Sequence, residues 1–299
     1  MLTQRESQSG VGEQDMNYSN GNSQQAIHPI PMHEITSEFS RCWVEAAKHL
    51  ERQTRAAGEQ MCWLKCNLEP PFLEHLSFRV RNQLFFVRVE DIDRPAIGPG
   101  NLKGLESVAE GCEGHPCILR MRKAGDGWHP ADEGWSLSHA LTEMAVDPLS
   151  LGTDQPIEMT DWELHDFGVQ MVRRYLVGQD REIMSSQGNP HVDPSLWFVG
   201  DEGPEWVVVR TTRYPEMEAD RPEDWDRIAL GCAVMSRRGK FASVSVASSE
   251  QQDPENDGVV LPLTRGGPLV VRFMGLQSDA NEQGYKRAGR WGRVGTAVP

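Results

Sequence analysis

The feature that most restricts the fold is a repetition of element order at a nearly constant spacing. QLFFVRVEDI at 83–92 and EWVVVRTTRY at 205–214 each run through bulky apolar residues to an arginine. The segments around them correspond in the same order. Thr36 matches Thr160 at an offset of 124, Arg88 matches Arg210 at 122, Cys112 matches Cys232 at 120 and Ile118 matches Ala242 at 124. Similarity at a fixed period marks a duplicated supersecondary unit. The chain is therefore expected to fold as an α/β protein of the α+β type, with two tandem units forming an internal pseudo-dimer.

Each unit reads as a helix, a three-stranded antiparallel meander, a second helix and a closing strand. In the first, Thr36 is a cap and Phe39, Cys42, Trp43, Ala46 and Leu50 recur at helical spacing. MCWLKCN is a short strand, and HLSFRVRNQLFFVRVED alternates as a hairpin turning at 81–83. Leu102, Leu105, Val108, Ala109 and Cys112 share one helical face before the strand PCILRMR. In the second, TDWE at 160–163 has the form of a capping box opening a helix over 161–177. EIMSSQ, the hairpin SLWFVGDEGPEWVVVRTT, a helix carrying Trp225, Ile228, Ala229 and Cys232, and the strand FASVSVAS follow. GPLVVRFMGL is a further strand that extends the second sheet or crosses to the first. The expected organisation is a disordered leader at 1–31, a first unit at 32–124, a connector at 125–158, a second unit at 159–278 and a flexible basic tail at 279–299 carrying Lys286, Arg287, Arg290 and Arg293.

Charge narrows the partners. A formal net charge of −14 repels phosphate, so nucleic acid is disfavoured. No run approaches a membrane span and no secretory leader is evident, which points to the cytoplasm. The six cysteines sit mostly in apolar runs and read as reduced core residues. Cys62, Cys66, Cys112, His115 and Cys117 offer a zinc set, but at spacings looser than structural zinc sites use.

The strand faces set the candidate chemistry. Phe85, Val87 and Val89 point one way and Phe86, Arg88 and Glu90 the other; Val207, Val209 and Thr211 oppose Val208 and Arg210. With Asp193 before the second strand of its unit, this order resembles the core of the PD-(D/E)xK nucleases. That resemblance implies Mg²⁺ held by an aspartate and a glutamate, with a lysine two residues after the glutamate. Here Val208 and Arg210 stand at the glutamate and lysine positions, and Phe86 and Arg88 in the first copy. None of the six lysines follows Asp, Glu or Gln by two residues. An active site of this kind would fall to Glu163, Asp193 and Glu205 around Mg²⁺, with Arg210 as electrostatic helper; Asp201 and Glu202 read as a solvated turn.

The element order also resembles the small acidic α/β chaperones of bacterial secretion systems, which implies a protein partner. His165, flanked by Glu163 and Asp166, is the one isolated general-base candidate and otherwise a surface residue. Trp162, Trp197, Trp206 and Trp225 read as core, whereas Trp128 and Trp135 in DGWHPADEGW, with Arg88 and Arg210, are the candidate partner contacts. The leading expectation is a non-enzymatic adaptor or chaperone-type protein without a cofactor, binding another protein. The alternative is a divergent or inactive metal-dependent nuclease acting on or binding DNA.

Overall fold

The computed structural model describes residues 35–94, 96–125, 127–252, 259–278 and 292–293. The leader at 1–31 and all of the basic tail but 292–293 lie outside them.

The first unit opens with α1 (Ser37–Ala56), capped by the Thr36 hydroxyl, which accepts from the Phe39 amide at 3.1 Å. β1 (Met61–Lys65), β2 (Leu76–Val80) and β3 (Gln83–Asp91) form the antiparallel meander, α2 (Leu102–Gly111) crosses over, and β4 (His115–Ala124) pairs parallel to β3. α1 and α2 cover opposite faces of this sheet. Phe39, Cys42, Ala46 and Leu50 pack with Val87, Val89 and Leu119, while Leu105, Val108 and Ala109 pack with Leu84 and Phe86.

Residues 125–158, expected as a connector, begin by completing this sheet. β5 (Gly127–Pro130) and β6 (Leu137–His139) both pair antiparallel with β4, along its later and earlier halves. The short α3 (Pro148–Leu151) follows.

The second unit repeats the plan. α4 (Asp161–Val177) starts at the expected capping box, with the Thr160 hydroxyl accepting from the Glu163 amide and the Glu163 carboxylate accepting from the Thr160 amide. β7 (Ile183–Ser186), β8 (Leu196–Gly200) and β9 (Gly203–Arg213) form the meander; α5 (Trp225–Cys232) leads to β10 (Gly239–Ser248), parallel to β9. β11 (Leu269–Phe273) and β12 (Gln277–Ser278) then pair with the later and earlier halves of β10, as β5 and β6 do with β4. The repeat is thus longer than the sequence reading, and GPLVVRFMGL extends the second sheet. β13 (Gly292–Arg293) pairs with β11, so this part of the expected flexible tail is a strand.

Pairing registers fix the correspondence between units. Leu76 faces Val87 and Leu196 faces Val207, an offset of 120 throughout the hairpin. A side-chain detail repeats with it: the Val89 amide donates to His75 Nδ1, and the Val209 amide to Ser195 Oγ. Across the parallel pair, Val87 faces Cys117 and Val207 faces Lys240, an offset of 123. Three extra residues therefore lie between α5 and β10. The sequence pairing of Arg88 with Arg210 is corrected: Arg88 corresponds to Val208 and Arg210 to Glu90. Likewise Ile118 corresponds to Phe241, and Leu119 to Ala242.

The joint between the units also differs from a pseudo-dimer built on equivalent surfaces. α2 of the first unit meets α4 of the second, which corresponds to α1. The contact is head to tail, a heterologous arrangement. Trp162 of α4 joins the apolar cluster under α2. Beside it Arg265, its side chain buried, pairs with Glu163 at 2.9 Å and donates to the Cys112 carbonyl at the end of α2. Arg173 pairs with Glu69 across the same joint.

Candidate functional site

The residues singled out in the sequence have mainly structural partners. Arg88 donates to the Pro99 carbonyl at 2.9 Å and to Glu90 at 3.2 Å, tying β3 to the loop before α2. Arg210 and Asp193 do come together. The two terminal guanidinium nitrogens each donate to one carboxylate oxygen, at 2.9 and 2.6 Å, a bidentate pair at the entry to β8. Glu163 is committed to Arg265 and the cap of α4, and Glu205 lies 3.8 Å from Lys240 on β10. Asp201 and Glu202 pair with Arg181 and Arg238 around the exposed hairpin turn. Among the described residues no three His, Cys, Asp or Glu side chains gather into a metal site, so neither the Mg²⁺ set nor the zinc set converges.

His165 is a correction: it is 3% exposed, inside the α4–β9 packing, not on the surface. Burial pushes its pKa down to about 4, helped by the neighbouring Arg210 charge. Its Nε2 has no hydrogen-bond partner. An imidazole held this far down is a weak base at neutral pH. Trp128 is likewise buried in the first core with its Nε1 donating to Glu38, and so leaves no ring for a partner; Trp135 is half-buried against the same core.

The surface that stands out was not among the sequence candidates. It is the face of α5. Beneath it, Trp225, Ile228 and Cys232 pack on Trp206, Val208 and Phe241, with the Trp206 and Trp225 rings 5.1 Å apart. Trp206 Nε1 donates to the Ser236 carbonyl and pins the segment that leads to β10. Burial pushes the Cys232 thiol up to about 12, as expected of a core cysteine. On the outer side Leu230 is 76% exposed, with the exposed Asp226 and Arg227 one turn before it, and just after the helix Val234 is 89% and Met235 58% exposed. Val234 and Met235 lie in the stretch where the second unit has its three extra residues.

The repeat shows what such a face does. Gly111 and Gly231 hold the same place, one residue before the paired Cys112 and Cys232. A Cβ on Gly111 would lie 2.1 Å from Cε3 of Trp162, so the missing side chain is a socket for that ring. A Cβ on Gly231 would meet nothing within 4 Å. The first unit's socket is filled by α4; the second unit's is open, with Leu230, Val234 and Met235 exposed close to it along the chain. The repeated Gly-Cys dipeptide at 111–112 and 231–232 was the sequence signal for this site.

One family model matches the chain, a domain of unknown function (DUF8840), over residues 162–278. The match spans the second unit from the first turn of α4 to the end of β12. No curated protein and no solved structure matches the chain.

Proposed function

We propose that the chain is a non-enzymatic cytoplasmic adaptor or chaperone-type protein that binds another protein through the outer face of α5. The observation that carries this reading is the open glycine socket at Gly231. The occupant is a partner helix bearing an aromatic side chain in its first turn, set on Gly231 as Trp162 is set on Gly111, with apolar residues against Leu230, Val234 and Met235. A second copy of this chain is a poor occupant. The residue of α1 that corresponds to Trp162, counted from the paired caps Thr36 and Thr160, is Glu38, already engaged by Lys123 and Trp128. Large apolar side chains left this exposed are a feature of interaction sites, and aromatic anchors in small pockets supply most of the energy at such sites.

The site predicts a specific cross-link. A photoreactive amino acid in place of Val234, in the full chain within cells of its source, should capture a discrete peptide containing an aromatic residue in a helix. Gly231→Trp should cut its yield at least tenfold. Equal yield in Gly231→Trp, or no captured peptide, would remove the proposal.

A further inference from the structure

A second feature, independent of the α5 face, lies inside the joint between the units. α2 and α4 touch near Trp162 and leave a cavity of about 210 Å³ beside it, bounded by β1 and β2 on one side and by α4, β7 and residues 264–269 on the other. This is much more room than a single water's share of about 30 Å³. Its walls are largely apolar, with Leu84, Phe86, Trp162 and Phe167 among them, and the lining holds four cationic side chains against three carboxylates.

Two of these cations are already matched. Arg265 pairs with Glu163 at 2.9 Å, both side chains buried, and Lys65 stands 3.5 Å from Glu74. What is left is one carboxylate, Asp166, and two guanidinium groups, Arg79 and Arg174. Asp166 accepts from Gln170 at 3.5 Å and is wedged against Gly188, where a Cβ would lie 2.2 Å from Oδ1. Arg174 follows on the same helix, about 12 Å further along its axis, and its side chain has no partner among the described residues. Arg79, on β2, has no carboxylate partner among them either. Its Nη1 donates to the Arg81 carbonyl, and its guanidinium rests on Gly266, where a Cβ would lie 2.6, 2.7 and 2.9 Å from Nη1, Cζ and Nη2. Only glycine leaves room for that seat. The other N–H groups of Arg79 have no protein acceptor among the described residues, and a planar guanidinium in this state presents a fork that matches a carboxylate. Apolar surface adjoins it. Arg79 faces Leu84 across the β2–β3 pair, and Phe86 is the next residue on that side of β3; both are buried and line the cavity.

We propose that this cavity binds a small organic monocarboxylate with an apolar body, its carboxylate accepting from Arg79, with the Arg174 charge adding to the positive field, and its hydrocarbon part lying against Leu84, Phe86, Trp162 and Phe167. A single negative charge balances the lining. A phosphate dianion would reverse the excess in a cavity that already holds Asp166, and an amine would enlarge it. Because the walls are apolar, the body of the ligand gains from burial while its charge is met by a fixed group.

Titration calorimetry on the full chain tests this with three probes of one shape: 3-phenylpropanoate, 3-phenylpropylamine and 3-phenylpropan-1-ol. The expected result is saturable binding of the carboxylate, at least tenfold tighter than either of the others. Arg79→Gln should weaken the carboxylate at least tenfold and leave the alcohol, which reads the apolar wall alone, within about twofold, with the circular dichroism of the folded chain retained. Arg174→Gln, a second variant outside the sheet, should weaken the carboxylate at least twofold. Weakening in Arg79→Gln alone would support the proposal with Arg79 as the sole contact. No saturable binding of any probe, amine or alcohol binding as tight as the carboxylate, or carboxylate affinity unchanged in Arg79→Gln would overturn it.

Discussion

Alanine at the two corresponding glycines should move stability in opposite directions. Gly231 lies in the last turn of α5, its φ is not in the left-handed region, and a Cβ there meets nothing within 4 Å. Gly231→Ala then changes only the cost of ordering glycine in a helix, and should stabilise the chain by about 0.5–1 kcal/mol. Gly111→Ala gains a similar amount from the helix but places its Cβ 2.1, 2.7 and 2.8 Å from three atoms of the Trp162 ring. That ring cannot simply swing away. It sits in the first turn of α4, next to the Glu163–Arg265 pair that locks the joint. Overpacking of this kind costs roughly 1–3 kcal/mol, so the net effect is a loss, and the two variants should differ by about 2 kcal/mol. Urea unfolding followed by tryptophan fluorescence, with slopes compared to confirm that the midpoints report stability, measures both. If both variants shift the same way, the assignment of Gly111 as a filled socket and Gly231 as an open one is wrong.

Two further outcomes follow from the buried charges. Arg265→Ala strands the Glu163 carboxylate inside the joint and should cost about 3–5 kcal/mol, with the two units unfolding in separate transitions; a loss below about 1 kcal/mol would show that the pair does not hold them together. His75 and His165 both have pKa values pushed from 6.5 down to about 4, chiefly by burial. The folded chain therefore binds fewer protons than the unfolded one in that window. Stability is fully present above about pH 6.5 and falls as the pH drops toward 4, by on the order of 3 kcal/mol per histidine. Asp166, raised from 3.8 to about 6, acts in the opposite sense, losing stability as pH rises through that range. Unfolding free energies of His165→Gln and Asp166→Asn against pH should each remove one of these slopes, and unchanged slopes would refute the assignment.

What was legible in the sequence was what local chemistry determines. The Thr160–Glu163 box and the helix behind it need only residues within one turn, and the alternation in QLFFVRVED needs only a two-sided sheet. The repeat was visible for the same reason. Its register was not, because the three extra residues between α5 and β10 move the offset from 120 to 123, and only strand pairing reveals where they enter. β5 and β6 are four- and three-residue strands whose partner is β4, a choice that local pattern cannot express. His165 was misplaced because α4 is covered on two sides: its polar neighbours Glu163 and Asp166 face the other unit across the joint, not solvent. The acids offered as Mg²⁺ ligands do not gather into a metal site among the described residues, and Asp193 pairs with Arg210 instead. As for the α5 face, its signal was a repeated Gly-Cys pair, which has no meaning until one copy is seen filled and the other open.

The most direct measurement of the central claim is the affinity of Gly231→Ala for the peptide captured at position 234, compared with that of the natural chain. If an aromatic ring seats on Gly231 as Trp162 does on Gly111, the added methyl group should weaken binding about tenfold, close to 1.4 kcal/mol, while the free protein becomes more stable. Equal affinity in the two proteins would mean that nothing occupies the socket, and the α5 face would lose its role as the partner-binding surface.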